Sequence, residues 1–134
     1  MWQTPDTGLL ITGFPGFIAG RLVERLIPER PDAFFYLLAE ARFEADAKAM
    51  CQEIERKQPA FAKRWRVLKG DIRKPRLGIS GRTLGKLKKQ MSEVWHLAAI
   101  YDLAVPQSLA YAVNVDGTEN VLDVCDTFEN LRRL

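Results

Sequence analysis

Two glycines and an alanine, Gly13, Gly16 and Ala19, stand at three-residue intervals after a short apolar run, Leu9-Leu10-Ile11, and Thr12. Apolar residues then recur at Phe17, Ile18, Leu22, Val23 and Leu26, the spacing of one buried helical face. Strand, tight turn and helix in that order put the first-turn N–H groups and the positive end of the helix dipole at the mouth of the turn. Glycine lets the backbone turn sharply and a ligand approach it, while the small Ala19 keeps the helix close to the strand. The chemistry this offers is the cradling of an anion, and Gly13, Phe14, Pro15, Gly16, Phe17 and Ile18 form the candidate pyrophosphate-binding turn. The spacing is Gly-x-x-Gly-x-x-Ala, not the general Gly-x-Gly-x-x-Gly. A βα turn that needs glycine only for geometry would read the same, so the rest of the chain has to decide.

Four further places carry groups suited to a nucleotide. Glu40 and Arg42 follow the apolar run 33–39. An acid there binds ribose hydroxyls, whereas an arginine accommodates a 2′-phosphate; both also suit the polar start of a helix. NAD against NADP stays open, with the basic residues downstream of Arg42 tilting the balance to NADP. Asp71 follows the strand-like stretch 65–68, where it either caps the next turn or accepts a hydrogen bond from an adenine amino group. The stretch 93–100 closes on Ala98 and Ala99, small enough for a ligand to lie against the backbone. It contains His96, the only histidine, which within an apolar run reads as a packed, hydrogen-bonded residue before it reads as a general base. Asn114 lies inside a helical pattern, where it is solvated, bonded back to the backbone, or part of a site.

The elements that must position these groups alternate. Residues 1–7 read as a lead-in, followed by the first strand and a helix that Pro28 and Pro31 end. The run 33–39 suits a strand buried on both faces of a parallel sheet. Residues 43–57 form a helix with Phe43, Ala47, Met50, Cys51 and Ile54 as a core face. A third strand over 65–68, a loop over 74–80, a basic helix over 83–91 and a fourth strand with its exit over 93–100 follow. Pro106 opens a long helical stretch broken at Gly117, and residues 131–134 begin a further element. The order β-α-β-α-β-α-β-α predicts an α/β fold, a doubly wound parallel sheet with helices on both faces.

With 134 residues, 47% of them hydrophobic, the chain is long enough for one core and one domain. The net charge is +3, yet residues 56–89 are rich in Lys and Arg with a single acid, Asp71. No run of aromatic residues alternates with those charges, so they read as a solvated face and not as a nucleic-acid platform. Cys51 and Cys125 are far apart, without metal-ligand spacing, and read as free thiols. No apolar run reaches the length of a membrane span. The composition points to a cytoplasmic chain without a metal.

Taken together, Thr12-Gly13-Phe14-Pro15-Gly16-Phe17-Ile18, Gly70-Asp71-Ile72, His96-Leu97-Ala98-Ala99 and Asn114-Val115-Asp116-Gly117-Thr118 resemble, in register, the extended short-chain dehydrogenase/reductase superfamily. Pro75 with Leu77-Gly78-Ile79-Ser80 brings the chain nearest to the male-sterility branch, which includes fatty acyl-CoA reductases and the thioester-reductase domains of carboxylic acid reductases and peptide synthetases. The resemblance implies a Rossmann-like NAD(P)-binding domain and hydride transfer on a carbonyl or thioester-derived substrate. It makes Gly13, Gly16, Phe17 and Ile18 the pyrophosphate turn, Asp71 and Ile72 the adenine contacts, and Leu97, Ala98 and Ala99 the wall beside the nicotinamide ribose. Arg42 becomes the 2′-phosphate candidate, although the branch's usual arginine follows the strand directly, where this chain has Glu40. Asn114 matches the asparagine that supports the active site through a helix carbonyl and water.

The branch's catalytic Ser and Tyr-x-x-x-Lys lie on and after a fifth strand, and neither Tyr101 nor Tyr111 has a lysine four residues on. The resemblance therefore implies the N-terminal cofactor-binding part of a longer reductase, truncated before the fifth strand is complete, with its acyl or other small-molecule substrate bound elsewhere. An open sheet edge would then favour self-association. The alternative is a non-catalytic nucleotide-binding or protein-interaction module complete at this length.

Overall fold

The computed structural model describes residues 7–134, so the expectation of a lead-in over residues 1–6 lies outside the described residues, while Thr7 already belongs to a strand. The strands are β1 (Thr7–Thr12), β2 (Ala33–Ala39), β3 (Trp65–Lys69) and β4 (Met91–His96). The helices are α1 (Phe17–Glu29), α2 (Glu44–Lys57), α3 (Gly81–Leu87), α4 (Gln107–Tyr111) and α5 (Gly117–Cys125). All four strands are parallel, in the spatial order β3-β2-β1-β4. From β1 the chain winds outward through β2 and β3, then crosses back to place β4 on the other side of β1. The carboxyl ends of β1 and β4 thus flank the point where the winding reverses, the place where open α/β sheets bind ligands.

Alternation along the strands divides the interior into two layers. Leu9, Ile11, Phe35 and Leu37 face α1 and α2, where Val23, Leu26, Ala47, Cys51 and Ile54 meet them. Leu10, Tyr36, Leu38 and Val94 face the other way, against Leu77, Leu87, Val121 and Val124. All seven residues of β2 are buried, as its continuous apolar run requires. The Tyr36 hydroxyl reaches Gln90 Oε1 at 2.6 Å, and burial pushes its pKa up to about 12.

Several boundaries differ from the sequence-based expectation, each for a physical reason that the structure shows. Helix α1 runs through Pro28 to Glu29. A proline inside a helix leaves the carbonyl four residues back without its donor, and here the Gln58 side chain supplies one, Nε2 to Glu24 O at 3.0 Å. The Arg64 guanidinium, donating to the carbonyls of Arg30, Ala33 and Ala60, completes the end of the helix, where a cation is favoured. Helix α3 begins at Gly81, because the Ser80 hydroxyl accepts the Thr83 N–H at 3.2 Å as an N-cap, and ends at Leu87. Met91, expected as the last residue of that helix, opens β4 instead and is fully buried opposite Gly8.

Strand β4 stops at His96 and residues 97–100 form its exit, because the next two N–H groups turn to the Thr12 side chain. Gly117 does not break the last helical stretch. The backbone stays helical from α4 through a π turn (Ala112–Asp116) into α5, and Gly117 itself is right-handed.

Gly117 is needed instead for packing, since a Cβ there would lie 2.7 Å from Ile72 Cδ1. Beyond α5, Arg132 N–H bonds Ser92 O at 2.8 Å and Val94 N–H bonds Arg133 O at 2.9 Å, laying residues 132–133 along the free side of β4. There the nearly buried Glu93 is held by Arg30 through two bonds of 2.8 and 3.1 Å. Cys51 and Cys125 are free and buried. Among the described residues no helix is long and apolar enough to cross a membrane, and no acid, histidine and cysteine cluster suits a metal.

The Gly117–Ile72 contact carries a prediction with a sign change. Gly117→Ala should lower stability by about 1 kcal/mol, because overpacking of ~1–3 kcal/mol exceeds the ~1 kcal/mol gained in helix propensity. In an Ile72→Ala background the same substitution should stabilise. Denaturant unfolding of the four proteins of this cycle measures both.

Candidate functional site

The end of β1 is built around Gly13. Its φ of +83° lies where side chains are disfavoured, and a Cβ would come 2.8 Å from the Ala98 nitrogen and the Leu97 carbonyl carbon. Gly16 is as tightly placed, since its Cβ would stand 2.6 Å from Gly13 O, the atom its own N–H bonds at 2.8 Å. Gly16 is also the N-cap of α1, and no side chain caps that helix. The first-turn donors are therefore left for an outside acceptor. Ala19 is buried one turn in, against the sheet.

Beside this turn lies a cleft of about 800 Å³ along the carboxyl ends of the strands. Gly13, Phe14, Pro15 and Gly16 line its middle; Leu97, Ala98, Ala99 and Ile100 line one side; Glu40, Arg42, Asp71 and Ile72 line the other. The structure thus brings together, on one cleft, all but three of the residues that the sequence assigned to holding or supporting the cofactor. Phe17 and Ile18 are not among the lining residues; their side chains are 76% and 63% exposed at the start of α1, so any part they play in holding an anion falls to their backbone N–H groups. Asn114 stands behind the wall: its amide accepts from Ile100 N–H at 2.8 Å and donates to Ile100 O at 2.6 Å. Phe43, read from the sequence as a core residue, is instead a lining residue with the Arg42 guanidinium 4.6 Å from its ring centre.

The charged end of the cleft has one member that the sequence did not single out. Arg73 grips both oxygens of Asp71, with bonds of 2.7 to 3.2 Å, and also reaches Glu40 at 3.6 Å. Arg42 holds the other oxygen of Glu40 at 3.2 Å. The result is an alternating chain, Asp71, Arg73, Glu40, Arg42, across the ends of β2 and β3. The bonds from Arg73 hold the Asp71 carboxyl below the ordinary carboxylate range.

A backbone clip supports it: Asp71 N–H bonds Leu77 O at 2.9 Å, in a loop where Arg76, Leu77 and Gly78 are all left-handed. Ile72 is fixed from α5, by Gly117 and by the Asn120 amide on its carbonyl at 2.8 Å. In the sequence, only the basic run around residue 73 hinted at Arg73, and a run of charges does not say which member turns inward.

On the other side, Thr12 Oγ1 accepts the N–H groups of Leu97 at 3.0 Å and Ala98 at 3.1 Å, and lies 2.7 Å from His96 Nδ1. His96 Nε2 lies 3.2 Å from Thr118 Oγ1, whose hydroxyl donates to Asn114 O at 2.8 Å. Burial alone pushes the His96 pKa down.

A family profile described as male sterility protein matches residues 11–134 of the chain. The chain belongs to the male sterility protein family. Its relatives include "Fatty acyl-CoA reductase wat" of Drosophila melanogaster, 28% identical over 139 residues that take in 96% of this chain and 27% of the relative. A linear gramicidin synthase of Brevibacillus parabrevis is 29% identical over 117 residues, 84% of this chain and 2% of that protein. Among solved structures, the terminal R domain from the myxalamid PKS-NRPS biosynthetic pathway superposes with a TM-score of 0.75 at 25% identity, over 96% of this chain and 33% of that one. The chain thus spans about a quarter of the length of the fatty acyl-CoA reductase.

Membership makes this male sterility family chain an NAD-binding domain with a Rossmann-like fold. The cleft fits a dinucleotide: two glycine positions that a Cβ would fill, an uncapped helix N-terminus and a small-residue wall.

Two substitutions test this geometry. Gly13→Ala should lower stability by at least about 2 kcal/mol, through the left-handed φ and the clash with the β4 exit, seen as a lower urea midpoint. Arg73→Gln frees Asp71 from the partner that lowers its pKa. A lowered carboxyl contributes stability that is complete above the ordinary aspartate value and is lost as pH falls through the lowered one. Acid unfolding followed by circular dichroism should therefore begin at higher pH in the variant.

Proposed function

We propose that this chain holds NADP for a reductase that transfers hydride to a carbonyl or thioester-derived acyl group. The observation that carries the reading is the succession along one cleft of an acid at the end of β3, an uncapped glycine turn at α1 and a small-residue wall at the exit of β4. These match, in order, an adenine, a pyrophosphate and a nicotinamide riboside. In this assignment Asp71 and Ile72 hold the adenine, residues 13–18 hold the pyrophosphate through backbone N–H groups, and Leu97, Ala98 and Ala99 lie beside the nicotinamide ribose. The cofactor supplies the hydride; this chain's residues bind it, orient it and keep water from its apolar side.

Arg42 and Arg73 support the choice of NADP. Both guanidinium groups point at Glu40, Arg42 is well exposed, and a 2′-phosphate arriving at the end of β2 would take over their donors as charge-assisted hydrogen bonds. The same Glu40 supports a second reading, NAD, in which its carboxylate accepts the ribose hydroxyls. The acyl substrate follows from the relatives' names, a fatty acyl-CoA reductase and an R domain, and not from a pocket in these residues.

Calorimetric titration of the 134-residue chain decides the cofactor. NADP should bind about tenfold or more tightly than NAD, the worth of one or two charge-assisted hydrogen bonds. Arg42→Ala should reduce that preference, and Arg42→Ala with Arg73→Ala should erase it, while leaving NAD binding unchanged. Tighter binding of NAD, lost in Glu40→Gln, would overturn the NADP assignment. No binding of either by a folded sample would overturn the cofactor reading.

A further inference from the structure

We propose that His96 is a positioning residue that ties the end of β1, the exit of β4 and the π turn into one hydrogen-bonded ring, and so sets the wall of residues 97–100 against the nicotinamide half of the dinucleotide. The inference rests on the cofactor reading above and adds to it a residue that does not line the cleft.

Donor counting fixes the direction of every bond. Thr12 Oγ1 has two acceptor positions, and the N–H groups of Leu97 and Ala98 fill them. Its own hydrogen is then left for His96 Nδ1, 2.7 Å away, which must be unprotonated. The imidazole hydrogen sits on Nε2 and points at Thr118 Oγ1. Thr118 in turn donates to Asn114 O, and the Asn114 side chain closes on both backbone groups of Ile100. The path from Leu97 and Ala98 through Thr12, His96, Thr118 and Asn114 returns to Ile100, so the wall is gripped at both ends and His96 is the link between the grips. A buried neutral histidine has a donor and an acceptor nitrogen to satisfy. This one uses both nitrogens, and each partner's remaining bonds lead to the wall.

A proton added at Nδ1 would turn that atom into a donor facing an oxygen with no free acceptor position. Thr12 would have to release Leu97 or Ala98. Among the described residues, the charged groups of the surrounding elements are Glu93 on β4 and Asp116, Glu119 and Asp123 on the helical stretch. None of them acts on the ring, which burial alone keeps neutral. Because the folded-state value is lowered, the ring's contribution to stability is complete above the ordinary histidine value near ~6.5 and falls as pH drops from there toward the lowered value.

His96 is the only histidine of the chain, so its imidazole nitrogens give a single set of ¹⁵N resonances. We expect the Nε2–H tautomer, and expect the Leu97 and Ala98 amide signals to titrate together with the ring. The functional arm compares NADP with 2′,5′-ADP, which lacks the nicotinamide half but shares the titrating 2′-phosphate. The ratio of their affinities should fall about fivefold in Thr118→Val or His96→Ala, the scale of one lost hydrogen bond. In the wild type the same ratio should fall, relative to that of His96→Asn, as the ring protonates; the 5′-phosphate of 2′,5′-ADP titrates in the same range and is cancelled by that comparison.

His96→Asn offers Thr12 an acceptor that does not titrate but is too short to reach Thr118, so it should show the same fall as Thr118→Val at neutral pH while lacking the ring's part of the pH dependence. An Nδ1–H tautomer, wall amides that ignore the ring, or an unchanged ratio in folded Thr118→Val would each overturn the proposal. If neither ligand binds, the cofactor reading fails by itself, and the tautomer and amide titrations still judge His96.

Discussion

The backbone of Gly13 lies against the backbone of Leu97 and Ala98 so closely that one methyl group would not fit between them. That contact is the seam between the strand that begins the sheet and the strand that returns to its far side. On one side of the seam the turn leads to the uncapped start of α1; on the other the released N–H groups of Leu97 and Ala98 find the Thr12 hydroxyl. Without so close an approach Thr12 could not reach both amides, β4 would have no reason to end at His96, and the wall would have no fixed distance from the turn. The cleft is thus a consequence of how the winding reverses, as in other open α/β sheets.

The far end of the cleft is organised by charge. Asp71 is held by Arg73, Arg73 shares Glu40 with Arg42, and Arg42 stacks on Phe43. The two pairs on Glu40 are exposed and add little to stability; what the chain of charges does is keep four ionic groups oriented at the ends of two strands. The loop behind them places Arg76 and Leu77 in left-handed conformations, a strained arrangement, and the buried Leu77 side chain anchors it in the core. Its return is the bond from Asp71 N–H to Leu77 O, which fixes the acid from behind while Arg73 fixes it from the front.

The parts of this molecule that were legible in the sequence are those fixed by period and by small residues. The glycine turn at 13–16, the fully apolar β2 and the alternation of strands with helices all followed from local patterns, and the cleft residues came with them. What escaped depends on partners far away in the chain. Pro28 reads as a stop until Gln58, beyond the next strand and helix, satisfies the carbonyl that it orphans. Met91 has helical spacing from Leu84 and Leu87, yet the edge of Gly8 claims it for a strand. Gly117 looks like a break because nothing local shows that Ile72 needs the space. Arg73 was one cation among many, and only the folded chain shows it turned toward two carboxylates. The π turn at Asn114 has no residue signature at all; it shows only in the backbone.

The two cysteines lie in different layers, Cys51 with α2 against one face of the sheet and Cys125 with α5 against the other. Burial raises the thiol pKa to about 12 and about 11, so neither forms the reactive thiolate while its layer stays closed. Alkylation of Cys51 therefore waits for α2 to lift, and alkylation of Cys125 for α5 to lift. A single-sheet protein in this way carries two chemical clocks, one per side, that separate the breathing of the α1–α2 layer from that of α5 on the opposite face.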